Sequence, residues 1–334
     1  MTLYAGTGRP GRVYRYTGGT SWEMVASNLD QVVHCLATHN GVLYAGTQTE
    51  VGVHGTGYVY RYHGGTSWSQ VGSSIDNGVM SLISHDGYLI AGTRSQGMKT
   101  YRLIDGDWVL RSNLGFRGTR SMAVIDGNFY EGDFLRDKIF RNGDQVLDEA
   151  GSCIWDFAKH NGTLYACAWR GTYWYSTDNG VTWTDYSGAP FTDYELPANN
   201  IFSMDVFKGD LYFGCKGLIR GHTHIWDAPG NDESTISTMI NDGNTMYLGI
   251  GGDQGYNSHL QPGYVYAYTG TGIPTLISPS LDDGVQVLFI VDGWNIWVYK
   301  SGTWHRVTDR WTYKGGTWQP VSSVDVNKDG WKPI

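Results

Sequence analysis

Acidic, aromatic and amide side chains concentrate in four long polar segments of this 334-residue chain, at positions 48–57, 187–199, 227–234 and 251–263. Such side chains bind sugar hydroxyls or a protein surface. Two carboxylates at a fixed separation can also hydrolyse a glycosidic bond. Asp193 with Glu195, or Asp232 with Glu233, could supply such a pair. The candidate binding residues are Asp193, Tyr194, Glu195, Asp232, Glu233, Asp253, Tyr256, Asn257 and His259.

Other chemical signals are weaker. His222 and His224 are two residues apart on a predicted strand and could share a metal, but no carboxylate or cysteine is placed to complete the ligand set. Residues 325–330 resemble the start of a calcium loop and lack its twelfth position. Phosphate-binding, serine-hydrolase and zinc-protease motifs are missing from the sequence. We therefore predict no catalytic set, no metal and no cofactor.

Composition narrows the class of protein. The net charge of −8 disfavours non-specific binding to nucleic acid, which needs a basic surface. No apolar stretch is long enough to span a membrane, and the N-terminal residues read as a strand, not as a signal peptide. The four cysteines lie in apolar runs and form no C-x-x-C pair, so we expect buried free thiols and no reliance on disulfides.

The elements that must position these residues repeat along the chain. An Asn-Gly, Asp-Gly or Lys-Gly turn between two apolar runs ends at seven glycines, spaced 34 to 50 residues apart. They are Gly41, Gly87, Gly127, Gly162, Gly209, Gly243 and Gly293. Each unit reads as four short strands joined by Gly-rich turns. Strand units repeating at this period predict a β-propeller.

The first and last units are each incomplete, and together they supply the strands of one complete unit. Residues 3–7 match a second strand with no first strand before it, and residues 285–291 match a first strand. We therefore predict an all-β fold: a seven-bladed β-propeller of four-stranded antiparallel blades over residues 1–293, closed by its terminal strands. Pairing of the two ends would remove an open sheet edge. If residues 294–299 took the place of residues 3–7, the number of blades would change. The sequence is therefore compatible with six, seven or eight blades.

The topology predicts where ligands bind. In a four-stranded meander, the connection from second to third strand and the connection to the next unit lie at the same end. All four long segments are connections of these two kinds. Binding residues concentrate on loops that a rigid scaffold holds, so we predict the binding face at this end. The histidines before the turns, His39, His85 and His160, instead indicate turn architecture.

One turn carries a recognisable motif, S-x-D-x-G-x-T-W, with degenerate forms at 18–22, 64–68 and 105–108. Its fixed residues are Ser176, Asp178, Gly180, Thr182 and Trp183. The chain thereby resembles the sialidase-like propellers with Asp-box (BNR) repeats, in which the box is structural and lies away from the active site. Sialidase chemistry does not carry over: the early Arg-Ile-Pro segment is represented only by Arg9-Pro10, and no arginine triad can be assigned. We predict a protein that is not an enzyme.

Residues 294–334 repeat the pattern W-x-Y-K-x-G-T-W-x-x-V with an offset of 14 residues, too short for a blade. This Trp-rich tail resembles segments of bacteriophage tail and fibre proteins. The resemblance predicts a virion structural or adhesion protein, made in the host cytoplasm, whose loop-rich face binds a host glycan or a neighbouring virion protein. The tail would attach or oligomerise it, without nucleic acid or membrane insertion. The alternatives are a sialidase-like glycan hydrolase or lyase, and a bacterial lectin-like scaffold.

Overall fold

The computed structural model describes residues 1–50, 55–95, 97–115, 117–149, 153–168, 173–186, 201–221, 223–229, 234–251, 262–281 and 283–291, and four short strands between 297 and 320. The chain divides into two compact parts, Met1–Val291 and Asp292–Ile334. Every assigned element in the described ranges is a β-strand. Accordingly, the described residues contain no helix with the length and apolarity needed to cross a bilayer.

Residues 1–291 form antiparallel meanders of four strands, which we number as sheets 1 to 7. Sheet 1 contains β28 (Asp283–Val291), β1 (Thr2–Gly8), β2 (Val13–Gly18) and β3 (Ser21–Ala26). Sheet 2 contains β4 (Val32–His39), β5 (Val42–Gln48), β6 (Gly57–Gly64) and β7 (Ser67–Gln70). A single residue pair, Gly8 with Val32, joins these two meanders into one eight-stranded sheet.

The other five sheets are separate four-stranded meanders. Sheet 3 contains β8 (Val79–His85), β9 (Tyr88–Thr93), β10 (Lys99–Ile104) and β11 (Asp107–Asn113). Sheet 4 contains β12 (Thr119–Ile125), β13 (Asn128–Asp133), β14 (Asp137–Arg141) and β15 (Asp144–Glu149). Sheet 5 contains β16 (Ile154–His160), β17 (Thr163–Ala168), β18 (Tyr173–Ser176) and β19 (Thr184–Asp185). Sheet 6 contains β20 (Ser203–Phe207), β21 (Asp210–Gly214), β22 (Gly217–Arg220) and β23 (Thr223–Asp227). Sheet 7 contains β24 (Thr235–Asn241), β25 (Met246–Gly251), β26 (Tyr264–Tyr268) and β27 (Thr275–Leu276).

The two ends of residues 1–291 share sheet 1. Strand β1 pairs with β28 from Thr2 opposite Val291 to Gly8 opposite Asp283. The predicted pairing of residues 3–7 with 285–291 is therefore confirmed. The first strand of each sheet contacts the first strand of the next, from β4 through β8, β12, β16, β20 and β24 to β28, which contacts β4.

Close approach of neighbouring sheets depends on a small residue near the end of each second strand. A Cβ atom placed on Gly132 of β13 would lie 2.5 Å from Ser121 Oγ and 2.7 Å from Ile154 Cβ in the next sheet. Such distances exclude any side chain at this position without displacement of its neighbours. Glycines at the equivalent positions of five other sheets meet the next first strand in the same way: Gly6, Gly46, Gly92, Gly214 and Gly249.

The predicted turns after the first strands are confirmed where the structure describes them. Asn40 and Gly41 have φ angles of 49° and 73°, and Asp86 and Gly87 have 50° and 78°. Two consecutive positive φ angles identify type I′ hairpin turns, which favour Asn-Gly and Asp-Gly. The preceding histidines contact the next sheet: His39 bonds Ser84, His85 stacks on Phe129, and His160 bonds the Gly209 carbonyl.

Tryptophans of three fourth strands join neighbouring sheets at the outer rim. The indole N–H groups of Trp22, Trp68 and Trp108 each donate to a backbone carbonyl of the preceding sheet, at 2.9 Å. The acceptors are Ile277, Val25 and Val71 respectively. The bond from Trp22 to Ile277 links sheet 1 to sheet 7, across 255 positions of sequence.

The core lies between adjacent sheets, where buried side chains of one sheet pack on those of the next. All four cysteines are buried and free, as the sequence predicts. In the tail, β29 (Trp297–Lys300) pairs with β30 (Thr303–Arg306), and β31 (Trp311–Lys314) pairs with β32 (Thr317–Pro320). The two hairpins have the same register, with Tyr299 opposite Trp304 and Tyr313 opposite Trp318.

Candidate functional site

The four long polar segments connect strands at one end of the sheets. Two join a second to a third strand, β5 to β6 and β25 to β26, and two join a fourth strand to the next sheet, β19 to β20 and β23 to β24. We call this the loop-bearing end. The nine predicted binding residues, Asp193, Tyr194, Glu195, Asp232, Glu233, Asp253, Tyr256, Asn257 and His259, lie outside the described residues.

Basic and aromatic side chains converge at the loop-bearing end of the inner strands. The cationic cluster consists of His34, Gln48, Arg94, Arg120 and Trp155. His34, Arg120 and Trp155 lie near the starts of first strands, whereas Gln48 ends β5 and Arg94 directly follows β9. The cluster therefore draws on four consecutive sheets, and its members share the end at which the long segments attach.

Each arginine of the cluster lies over an aromatic ring. The Arg120 guanidinium carbon is 4.1 Å from the centre of the Trp155 ring, and that of Arg94 is 4.7 Å from the centre of the Phe134 ring. Phe202 packs edge-on against Trp155 with ring centres 4.8 Å apart. Cation–π contacts of this kind hold a guanidinium in a fixed orientation. The cluster thus presents planar cations supported by aromatic rings.

The histidine of the cluster is neutral. Burial, together with the positive charges of Arg120 and Arg94, lowers the pKa of His34 to about 3. Its Nε2 atom lies 3.0 Å from Gln48 Oε1, and its Nδ1 atom has no hydrogen-bond partner among the described residues. Because Gln48 Oε1 can only accept, Nε2 carries the proton of the neutral imidazole, and Nδ1 can accept a hydrogen bond from a ligand. The arginines favour a negative group.

A carboxyl group on the neighbouring inner strand balances part of this charge. Asp156 on β16 accepts backbone N–H groups from Phe157 at 2.8 Å and Met204 at 2.9 Å. Burial raises its pKa to about 7, and the nearby carboxylate of Asp205 also raises it. Burial lowers the pKa of Arg120, and the charge of Asp156 partly offsets this effect. The inner strands therefore carry positive and negative groups side by side.

A second polar feature at the loop-bearing end is an open cleft of about 400 Å³ between sheets 1 and 2. It is lined by Arg9, Pro10, Asn28, Asp30, Gln31 and Thr49. The backbone N–H of Gln31 donates to the backbone carbonyl of Gln48 at 3.1 Å. The cleft therefore adjoins the cationic cluster through this backbone hydrogen bond. Its volume falls within the range of small-molecule sites.

The Asp-box residues form a structural turn. Asp178 accepts hydrogen bonds from Ser176 Oγ at 2.7 Å, Thr182 Oγ1 at 2.6 Å and the amides of residues 181 and 182. These bonds, led by that from the Thr182 hydroxyl, lower the pKa of Asp178 to about 2. Gly180 has φ of 76° and lies against Tyr130 of the preceding sheet, and Trp183 packs edge-on against the same tyrosine. The turn therefore joins sheets 4 and 5.

Only one histidine of the pair predicted as a weak metal candidate, His224, belongs to the described residues. His224 lies 3.1 Å from Asp227 Oδ1, and residue 222 is not described. No group of three or more metal-ligating side chains occurs in the described ranges.

Sequence reasoning missed both the cationic cluster and the cleft. The cluster has no local signal because its members come from different repeats. The cleft has a local signal in the sequence, the repeated pattern Leu/Ile-Asp-x-x-Val. It begins with Leu29-Asp30 before β4 and with Ile75-Asp76 before β8. Asp30 and Asp76 have φ angles of 61° and 44°. An Asp in the left-handed backbone conformation thus occurs twice at the same position before a first strand, which indicates a specific turn of the fold.

Comparisons with known proteins define the class: the chain is a β-propeller protein. No family model and no curated protein matches the chain. Among solved structures, a Bacteroides fragilis protein with the provisional name 6-phosphogluconolactonase is similar at a TM-score of 0.61 and 11% identity, over 87% of this chain and 98% of that one. YCF48 bound to D1 peptide is similar at 0.52 and 13% identity, over 77% and 89%. The WD40 propeller domain of Doa1 is similar at 0.50 and 15% identity, over 74% and 86%. At these identities the similarity shows the fold alone.

Proposed function

We propose that this chain is a non-enzymatic binding protein of a bacteriophage virion, a tail or fibre component, built as a closed seven-bladed propeller. Its loop-bearing end binds a host-surface glycan or a neighbouring virion protein, and residues 294–334 attach or oligomerise it. The observation that carries the binding role is the position of the cationic cluster, which lies at the same end as all four long polar segments.

Two sets of contacts support a closed ring of seven blades. The first strands contact one another in a cycle that returns from β28 to β4. The Trp22 indole joins sheet 1 to sheet 7 at the rim, as Trp68 and Trp108 join their own neighbouring sheets. Because the same kind of contact is made at the chain termini as inside the chain, the junction of the termini is equivalent to the others.

The direction of β28 supports the division of roles. First strands run from the loop-bearing end to the short-turn end, where His39, His85 and His160 stand. Val291, the last residue of β28, pairs with Thr2 and so lies at the short-turn end. The chain therefore leaves the propeller at the end opposite its long segments.

The chemistry of the cluster supports a ligand that carries carboxylate and hydroxyl groups. Arg94 and Arg120 are fixed by aromatic rings, and neutral His34 adds a hydrogen-bonding group. Arginine binds carboxylates through paired hydrogen bonds, and aromatic rings stack on the C–H faces of sugars. Acidic surface glycans and acidic protein segments both satisfy these groups.

A glycan array followed by analysis of reaction products tests the proposal. We expect the full chain to bind a subset of acidic glycans without releasing sugar. The variants Arg120→Gln and Arg94→Gln should each weaken binding at least tenfold, whereas Arg220→Gln, at an exposed arginine 3.9 Å from Asp210, should bind normally. Melting curves of all variants identify any loss of fold. Light scattering of the full chain should show an oligomer.

Three results would contradict parts of the proposal. Full binding by both arginine variants would remove the cationic cluster from the site. A monomer in light scattering would contradict oligomerisation by the tail. Released sugar would favour the alternative, a glycan hydrolase or lyase, for which Asp156 is the candidate proton donor because its pKa is raised to about 7.

A further inference from the structure

Two junctions between sheets share one framework but differ in charge. At the junction of sheets 1 and 2, Asp30 accepts hydrogen bonds from Thr47 Oγ1 at 2.5 Å and from the Tyr60 hydroxyl at 3.3 Å. At the junction of sheets 2 and 3, Asp76 accepts from Thr93 Oγ1 and the Tyr101 hydroxyl, both at 2.8 Å. Each Asp is thus held by a Thr within the last two residues of a second strand and by a Tyr of a third strand.

The backbone around the two aspartates is also equivalent. Gly11 donates to the Asp30 carbonyl at 3.0 Å, and Gly57 donates to the Asp76 carbonyl at 3.1 Å. In return, the amides of Leu29 and Ile75 donate to the carbonyls of Gly11 and Gly57, at 2.7 and 2.9 Å. The two junctions therefore have the same backbone hydrogen bonds, and they can be compared by their side chains alone.

The junctions differ in how the carboxylate is neutralised. Lys99 Nζ lies 3.0 Å from Asp76 Oδ1 and forms an internal ion pair. Tyr58 occupies the position equivalent to Lys99, because its carbonyl and that of Lys99 accept from Thr47 and Thr93 respectively. Among the described residues, Asp30 forms no ion pair. Arg9 instead lines the same cleft of about 400 Å³ as Asp30.

We propose that this cleft, the Arg9–Asp30 cleft, is a binding site for a single neutral sugar ring. Arg9 offers guanidinium donors, Asp30 offers carboxylate acceptors, and Asn28 and Gln31 offer amides that donate and accept. Such a mixture matches vicinal hydroxyls, each of which is both donor and acceptor. The charges of Arg9 and Asp30 cancel, so the cleft selects against a free anion.

The cleft is preorganised for a ligand. Arg9 N donates to the Gln31 carbonyl at 2.6 Å, which joins the two segments that form its walls. A Cβ atom on Gly11 would clash with the Leu29 carbonyl oxygen, so the backbones of these two neighbouring segments pack directly against each other. Rigid walls reduce the entropy lost on binding. The proposal rests on the proposed function in one respect: the sugar would be a unit of the surface glycan bound at this end.

The test is a titration of the full chain with the methyl glycosides of glucose, galactose, mannose and N-acetylglucosamine, followed by ligand-observed NMR and calorimetry. We expect at least one glycoside to bind, with Kd on the order of 1 mM. Arg9→Gln and Asp30→Asn should each weaken this binding at least tenfold. Asp76→Asn is the matched control, because it removes the same acceptor on the same frame and should leave sugar binding unchanged.

Failure to bind any of the four glycosides overturns the proposal, as does equal binding by wild type, Arg9→Gln and Asp30→Asn. Inorganic phosphate is the anion control, and phosphate binding stronger than glycoside binding also overturns it. Arg9→Gln keeps the test decisive if Asp30→Asn melts early, because Arg9 forms no ion pair among the described residues. The failures of the two proposals can be distinguished: acidic-glycan binding that is weakened in Arg120→Gln, combined with no binding of any methyl glycoside, would support the proposed function and overturn the cleft.

Discussion

The replacement Trp22→Phe tests whether the termini close the fold as the other junctions do. The indole N–H of Trp22 donates to the Ile277 carbonyl at 2.9 Å and joins sheet 1 to sheet 7. Trp68 and Trp108 make the same bond inside the chain. If the ring is closed, Trp22→Phe should cost as much stability as Trp68→Phe or Trp108→Phe.

The magnitude follows from two losses. The smaller phenyl ring removes on the order of 40 Å² of buried apolar area, about 1 kcal/mol at 25 cal/mol per Å². Loss of the hydrogen bond adds about 1 kcal/mol, because the rim is half-buried and water can reach part of the freed carbonyl. We expect a decrease of about 2 kcal/mol in the free energy of unfolding for each of the three variants.

Trp183→Phe supplies the control. Trp183 is half-buried like the others, but its indole N–H has no hydrogen-bond partner among the described residues. This variant loses the apolar area alone, so its cost should be about 1 kcal/mol, which is half that of Trp22→Phe. Urea unfolding followed by far-UV circular dichroism measures the difference, with the m-value checked for constancy.

Two outcomes would refute the reasoning. If Trp22→Phe cost no more than Trp183→Phe while Trp68→Phe cost more, the terminal junction would not resemble the internal ones and the ring would be open in solution. If all four variants cost the same, the indole hydrogen bonds would contribute nothing to the joining of the sheets.

Two further predictions concern the packing of the inner strands. Gly132→Ala should destabilise the fold by about 1 to 3 kcal/mol, because its Cβ would lie 2.5 Å from Ser121 Oγ and 2.7 Å from Ile154 Cβ; an unchanged urea midpoint would contradict the close approach of sheets 4 and 5. Asp156→Asn should flatten the pH dependence of stability. Burial raises the folded-state pKa of Asp156 to about 7, so between about pH 4 and pH 7 the folded state keeps a proton that the unfolded state releases. The stability of the wild type therefore falls as pH rises through this range. Urea midpoints at pH 5 and pH 8 measure this, and an equal decline in the variant would show that Asp156 is not its source.

The repeating framework was predictable because its signals are local. A type I′ turn needs positive φ at two consecutive residues, and Asn-Gly or Asp-Gly tolerates this best. Asn40-Gly41 and Asp86-Gly87 therefore mark the ends of first strands in the sequence itself. The pairing of β1 with β28 was predictable for a different reason, since residues 3–7 match a second strand that has no first strand before it.

Tertiary contacts set the limits of some strands. β20 begins at Ser203, and residues 201 and 202 are buried before it. The Phe202 ring packs on Trp155 of the preceding sheet. No local pattern in the sequence marks such a limit, because the contact joins different repeats.

The cationic cluster was not predictable from any local pattern. His34 and Arg120 are 86 positions apart, and each looks like an ordinary polar residue in an apolar strand. They meet because the starts of successive first strands are brought together. The Arg9–Asp30 cleft is intermediate: the repeated Leu/Ile-Asp pattern marks its frame, but only the structure shows that Lys99 neutralises Asp76 while Asp30 faces a cleft.

The sequence by itself determined the strands, the turns and the end at which the long segments attach, because hydrophobic alternation and left-handed turn residues act over a few positions. Only the tertiary structure decided which side chains of different repeats become neighbours. That choice depends on the packing of one sheet against the next, where glycines such as Gly132 set the distance of approach, and no local pattern of residues encodes a distance between repeats.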